Sequence, residues 1–388
     1  MKSYKLLFLV LCCSAFGCAK TQSKEAERRH TIGEQQVNEV KSEIRAGRTA
    51  WNVTAKRIPD ESLHSVEFLD GNLGWIAGTN GISRTIDGGK TWKRITVPMP
   101  ENAEPVKVLF VTPDLGWIVL TRRATNIADF EENHTWVLRT QDGGSTWEQK
   151  AEFSSSVISS ISFFDAERGW IAGIRYLGIS PLRSSFLVLR TSDRGEHWRD
   201  VSDNLISIAA KEEGWITSAI SDDAVTATLL TFRGQVLRTY DEGQHWEKLA
   251  AIPQEPKQTS LCTLGTTANN YFWFAGGATS LEGSWGVLGF ETNQAWLKRR
   301  LPGAYFSDAA FVSENEILVS GSIARPSAEI SAPSEQQAAI LQSSDVGRTW
   351  LVVYKESNTE KINALAMINR NHVIAVGERG LILDMVRE

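Results

Sequence analysis

One short phrase, repeated, fixes what this chain can fold into. It reads RTIDGGKTW (84–92), RTQDGGSTW (139–147), RTSDRGEHW (190–198), RTYDEGQHW (238–246) and QSSDVGRTW (342–350). Copies at a period of roughly fifty residues mean one structural unit in tandem. Trp51 and Trp296 fall on the same period. A second phrase precedes the first in step: GWIAG (74–78), GWIVL (116–120), GWIAG (169–173), GWITS (214–218) and WFAGG (273–277).

Within residues 63–98, four short runs (Val66–Leu69, Gly74–Gly78, Ile82–Arg84 and Trp92–Val97) are separated by DGN, TNG and DGG. Runs this short between turn residues are strands, because helices need about ten residues or more. Four antiparallel strands per unit is the blade of a β-propeller. In the repeated phrase the Asp carboxylate can accept N–H bonds from its own turn, and glycine supplies positive φ. The tryptophan fills the gap between neighbouring sheets. The phrase resembles the Asp-box, or BNR repeat, with structural residues Asp87, Trp92, Asp142, Trp147, Asp193, Trp198, Asp241, Trp246, Asp345 and Trp350. The resemblance implies that these are fold staples away from any active site.

The count is seven. ETNQAW (291–296) keeps Trp296 and loses the Asp–Gly turn, while residues 362–388 supply only three strands. GRTAWNVTAKRIP (47–59) matches the tail of a box and its strand. The expected fold is therefore all-β: a seven-bladed β-propeller of four-stranded antiparallel blades over 47–388, its last blade closed by the N-terminal strand. Closure removes free sheet edges.

Residues 1–17 have Lys2 and Lys5 before the apolar run Leu6–Phe16, the pattern of a secretory signal. Its end resembles a bacterial lipobox, which implies lipidation of Cys18 and an exported, periplasmic or cell-surface lipoprotein held to a membrane. Residues 18–46 read as a polar tether whose second half, after Thr31 and Glu34 as a capping box, has the marks of a short helix. A formal charge of −5 argues against nucleic acid as a partner. Cys262 remains alone on an inner strand, the setting of a buried small hydrophobe.

Chemistry is sparse. No histidine spacing suits a metal, and no cofactor or catalytic set is expected. Arg57-Ile58-Pro59 and Tyr305 resemble parts of the sialidase signature, which leaves a sialidase-like glycoside hydrolase or a carbohydrate-binding propeller as the alternative. Loops alternate faces in a four-stranded blade, so those between second and third strands lie opposite the Asp-boxes. The expected insertions there are Thr121–Thr135, Ile174–Ser185, Ser218–Thr231, Gly277–Gly286 and Ser322–Ala338. They carry Arg122, Arg123, Arg175, Tyr176, Arg183 and Arg325 as candidate partner-binding residues, since arginine suits carboxylates and protein interfaces.

Phe68-Leu69-Asp70 with Gly74-Trp75, and Phe163-Phe164-Asp165 with Gly169-Trp170, combine with the boxes and the exported N-terminus to resemble the photosystem II assembly and stability factor family. The resemblance implies a non-catalytic protein outside the cytoplasm that binds a membrane-complex subunit or a cell-surface component. It also implies an arginine-rich contact patch, and Arg84, Arg139, Arg190 and Arg238 match the family's repeat pattern.

Overall fold

The computed structural model describes residues 37–387 apart from 60, 180–181, 206–207, 209–213, 253–259, 268–270, 281–282, 292–295, 325–335 and 360. The described strands form seven sheets, one per blade. Blades one to six open on Leu63–Phe68, Glu104–Phe110, Ser156–Phe163, Ile216–Ser221, Ser260–Thr266 and Ala304–Phe311. Blade seven runs Ile362–Asn369, His372–Gly377 and Leu381–Arg387, and Trp51–Arg57 pairs antiparallel to its last strand. Closure by the N-terminal strand is as expected. Trp51 is buried in one cluster with Leu381 and Leu383; in the register it stands opposite Arg387, whose guanidinium lies 4.5 Å from the ring centre.

First strands of successive blades pack against one another around the axis. Each carries a β-bulge at the same place against its second strand, with His64, Val106, Ser159, Thr217, Cys262, Ser307 and Asn363 as the extra residues. An innermost strand is an edge, so its outward N–H and C=O groups need partners. The bulge turns side chains toward the next blade to supply them. Asn363 Nδ2 donates to Leu63 O at 2.8 Å, and Ser159 Oγ donates to Ile216 O. One residue further on, Ser160 Oγ accepts the Ala219 N–H at 3.0 Å and Asp308 Oδ2 accepts that of Leu365 at 3.0 Å.

Aromatic rings fill the space further out. Trp75 of blade one stacks on Phe110 of blade two at 3.7 Å, and Trp147 meets Phe110 edge-on at 6.2 Å. Trp117, Phe163 and Trp198 repeat the arrangement one blade on. The phenylalanine lies across the glycine of its own GW pair: a Cβ on Gly116 or Gly169 would sit 2.6 Å from Phe110 or Phe163. Blade four has no phenylalanine there, and Trp170 meets Trp246 directly at 5.9 Å.

Three expectations are corrected. GWITS does not form a second strand: Ile216–Ser221 is the first strand of blade four and Ala227–Thr231 the second. The aspartate turn that should precede the phrase follows it here, as Asp222-Asp223. Ile174–Ser185 and Gly277–Gly286 are long hairpins, not loops, because their strands stay paired out to Ile179 and Ser280. The short helix is replaced by strand over 37–44. Val37–Lys41 runs parallel along Trp296–Pro302 of blade five and Glu43–Ile44 along Thr349–Glu356 of blade six, covering two outer edges. Thr31 and Glu34 lie outside the described residues.

Deleting residues 47–59 removes the closing strand and opens the ring, so the domain is expected to unfold or oligomerise. Deleting 20–30 leaves every described strand intact. Light scattering and thermal melting of both truncations check this, and equal melting would overturn the closure.

Candidate functional site

The Asp-boxes form one constant structure. In the first, Thr85 Oγ1 donates to Asp87 Oδ1 at 2.7 Å and accepts the Gly89 N–H at 2.9 Å. Thr91 gives Asp87 its N–H at 2.9 Å and its hydroxyl at 2.6 Å. The bonds from Thr91 and then Thr85 hold the Asp87 pKa at about 2, and the matching bonds from Thr146 and Thr140 do the same for Asp142. In blades three and four His197 and His245 take the threonine's place, with Nδ1 at 2.7 and 2.6 Å from the carboxylate. These carboxylates are consumed by their own turns. Among the described residues no three His, Cys, Asp or Glu side chains come together to hold a metal.

The arginines flanking the boxes are not an open patch. Arg139 is buried and pairs with Glu196 of the next blade's box at 2.5 Å; Arg190 is buried and pairs with Glu242 of the next box at 2.6 Å. Arg238 lies 3.7 Å from Asp222. Arg84 meets a box without an acidic residue at the matching places, Asp142-Gly143-Gly144-Ser145, and its guanidinium sits over Trp75.

Inside the ring, Asp308 accepts N–H bonds from Leu365 at 3.0 Å and Ala309 at 2.9 Å, and burial pushes its carboxyl up. Tyr305 does not have the setting of a nucleophile. Its hydroxyl lies 3.1 Å from Cys262 Sγ, and burial, with the thiol beside it, pushes the phenol far above its usual range. An activated tyrosine needs the opposite shift and an adjacent base. Arg57 is held at the rim by Glu356, by Thr359 Oγ1 at 3.0 Å and by Arg379 O at 2.8 Å. The two sialidase-like elements thus have separate structural uses.

The opposite face is elaborated where blades two and three meet. After Gly116–Arg122 the chain forms a 3-10 turn, Ile127–Glu132. Buried Asn133 fixes that loop, accepting the Ala124 N–H at 3.1 Å and donating to Phe130 O at 2.9 Å. Phe130 packs against half-buried Tyr176 at 6.2 Å, tying the loop to the long hairpin of blade three. Arg122 lies over Trp136 at 5.8 Å and donates to Glu132 O. Arg123 is exposed, and its charge acts on both Tyr176 and Glu104. Close approach of His64, whose Nε2 lies 3.5 Å from its carboxylate, holds Glu104 low against the opposing effect of burial, and the charge of Arg123 adds to it.

Of the predicted binding residues, Arg122, Arg123 and Tyr176 thus share one corner. Arg175 pairs with Asp200 at 2.8 Å beside it, and exposed Arg183 stands near the tip of the same hairpin. Arg325 lies outside the described residues. Phe130, His64 and Glu104 join the corner without having been singled out. The aromatic residue inside the polar run 123–133 was the available signal.

Comparison with known proteins agrees with this architecture. The family model described as Photosynthesis system II assembly factor YCF48 matches residues 97–254, which span blades two to four. A structure of YCF48 bound to D1 peptide is similar over 89% of this chain and 99% of that one, with 19% identity and a TM-score of 0.59. YCF48 from Cyanidioschyzon merolae gives 17% identity and a TM-score of 0.55 over 87% and 98% of the two chains. An ancestral GH74 enzyme shares the fold at 10% identity and a TM-score of 0.51; the match covers 86% of this chain and 46% of that one. No curated protein sequence matches.

The box carboxylates make the fold acid-sensitive. A group whose folded pKa is depressed adds stability above its unfolded value, here about 4, and loses it as pH falls through the folded value, about 2 for Asp87, Asp142 and Asp193. Melting temperature should therefore drop steeply between pH 4 and 2. Asp142→Ala should melt lower than the parent at pH 7 and respond less to acid across that window, as followed by circular dichroism.

Proposed function

We propose that this chain is a non-catalytic, exported propeller that binds a protein partner, acting as an assembly or stability factor for a membrane protein complex. The observation that carries this reading is the coincidence of two spans. Residues 97–254, which match the assembly-factor family, are the blades that bear the aromatic and arginine corner. YCF48, a protein of the same fold, is known bound to a D1 peptide, which supports a peptide segment of a membrane-complex subunit as the partner here. Loops on a rigid scaffold are where recognition residues concentrate. Aromatic side chains beside exposed guanidinium groups are the usual anchors of protein interfaces.

The signal pattern in residues 1–17 and Cys18 support an exported lipoprotein. A diacylglycerol and an amide-linked chain on Cys18 together give stable membrane attachment where one chain does not.

Two outcomes follow. Pull-down from solubilised membranes should recover a membrane-complex subunit, and Arg123→Glu with Arg183→Glu should cut that recovery about tenfold while Tm moves by about 1 °C or less, since both side chains are exposed. Recovery unaffected by the reversals, or turnover of a sialoside or β-glucan by pure protein, would overturn the proposal. Cys18→Ser should shift the protein from the membrane to the soluble fraction on centrifugation.

A further inference from the structure

The groove between blades five and six differs from its neighbours. In the grooves after blades two and three, a buried arginine (Arg139, Arg190) is neutralised by a glutamate from the next box. After blade five the corresponding register position is Phe290, and the next box reads Asp345-Val346-Gly347-Arg348, with no glutamate. What remains is an open concavity of about 330 Å³ lined by Phe290, Leu297, Arg299, Asn315, Asp345, Val346 and Arg348.

Arg299 is the unusual member. It is 5% exposed, yet no carboxylate forms an ion pair with it among the described residues. Its Nε donates to Val346 O at 3.3 Å. Burial and then the like charge of Arg348 depress its pKa, with the charge of Asp345 opposing them. Asp345 is engaged mainly in its own turn: Oδ1 accepts the N–H of Thr349 and of Arg348 and the Ser343 hydroxyl, and Oδ2 accepts the Thr349 hydroxyl. A buried guanidinium without a counter-charge is costly, whereas a bidentate carboxylate would satisfy it.

Val346 supplies an independent observation. Its φ is 59°, in the left-handed region, where the equivalent residues are Gly88, Gly143, Arg194 and Glu242. A β-branched residue there is a genuine outlier, and strain of this kind persists where function holds it. Here it holds an isopropyl group in the wall of the concavity, opposite Phe290 and Leu297.

We propose that this groove binds a carboxylate joined to a single apolar group: the carboxylate on Arg299 and Arg348, the apolar group against Phe290, Leu297 and Val346. The volume is at the small end of ligand sites, which suits one residue-sized group. A free small acid and the end of a peptide share this chemistry. The site is on the Asp-box face, away from the corner between blades two and three, so the proposal stands apart from the protein-binding reading.

Isothermal titration of the full chain with N-acetyl-leucine, isovalerate, N-acetyl-leucinamide and sulfate tests it. The two carboxylates should bind, with the amide and sulfate about tenfold weaker or worse, as expected from losing a charged hydrogen bond or the apolar contact. Tighter binding of N-acetyl-leucine than of isovalerate assigns the peptide end, and the reverse order the free acid. Arg348→Gln, an exposed side chain, should weaken binding about tenfold without changing Tm. Val346→Gly should leave Tm equal or higher by relieving the backbone while weakening binding, two effects of opposite sign. Equal binding of amide and acid, equal binding of sulfate, or unaltered affinity in both variants would overturn the proposal. None of these results bears on recovery of a membrane subunit through Arg123 and Arg183.

Discussion

The structure depends on how one sheet packs against the next. Each blade buries both faces, so the fold has no single core, only seven interfaces that must all close at once. Two interactions serve this. Outward from the axis, stacked and edge-on rings such as Trp75, Phe110 and Trp147 fill the wedge between twisted sheets. Aromatic pairs of this geometry contribute about 0.5–1.5 kcal/mol each beyond burial. Nearer the axis, hydrogen bonds from the bulged first strands take over. The two are linked: the phenylalanine can reach its tryptophan only because a glycine lies beneath it.

Given that scaffold, the two faces have different electrostatic character. On the box face, carboxylates are used by turns, and Arg139 and Arg190 by the neighbouring blade, so charge there is internal to the fold. The groove beside blade five is the exception because Phe290 stands where other blades carry an arginine and the box it faces has no glutamate. On the other face the chain is free to vary, and the loop pinned by Asn133 sets guanidinium groups next to aromatic rings without asking them to hold the ring of blades together.

Much of this was legible in the residues. Repeats give the blade count, and the match between 47–59 and a box tail gives the closure. The internal turn of the Asp-box follows from Asp, Gly and Thr spacing alone. Blade four was misread because its GW pair sits before the first strand, so a phrase that marks second strands elsewhere pointed one strand out of place. The bulges had a signal that went unused: apolar residues in first strands step by three once, as from Leu63 to Val66 and from Ile158 to Ile161, where an unbroken strand would step by two. The hairpins of blades three and five looked like insertions because pairing partners cannot be read from length. The clustering of Arg123, Tyr176 and Glu104 was beyond sequence, since it depends on the angle between two blades.

The strand laid along blades five and six has a consequence for the order of events. Ser42 and Gly347 bond across 305 residues, and Trp51 meets its partner at the last strand of the chain. The thermodynamic penalty is mild: closing a loop six times longer than one repeat costs about 1.6 kcal/mol more. The kinetic penalty is not. Residues 37–57 are made about 250 residues or more ahead of the strands they pair with, so until those strands exist they remain single and unpaired. The ring closes only once Leu381–Arg387 has been made, and anything that shields residues 37–57 until then protects the whole molecule.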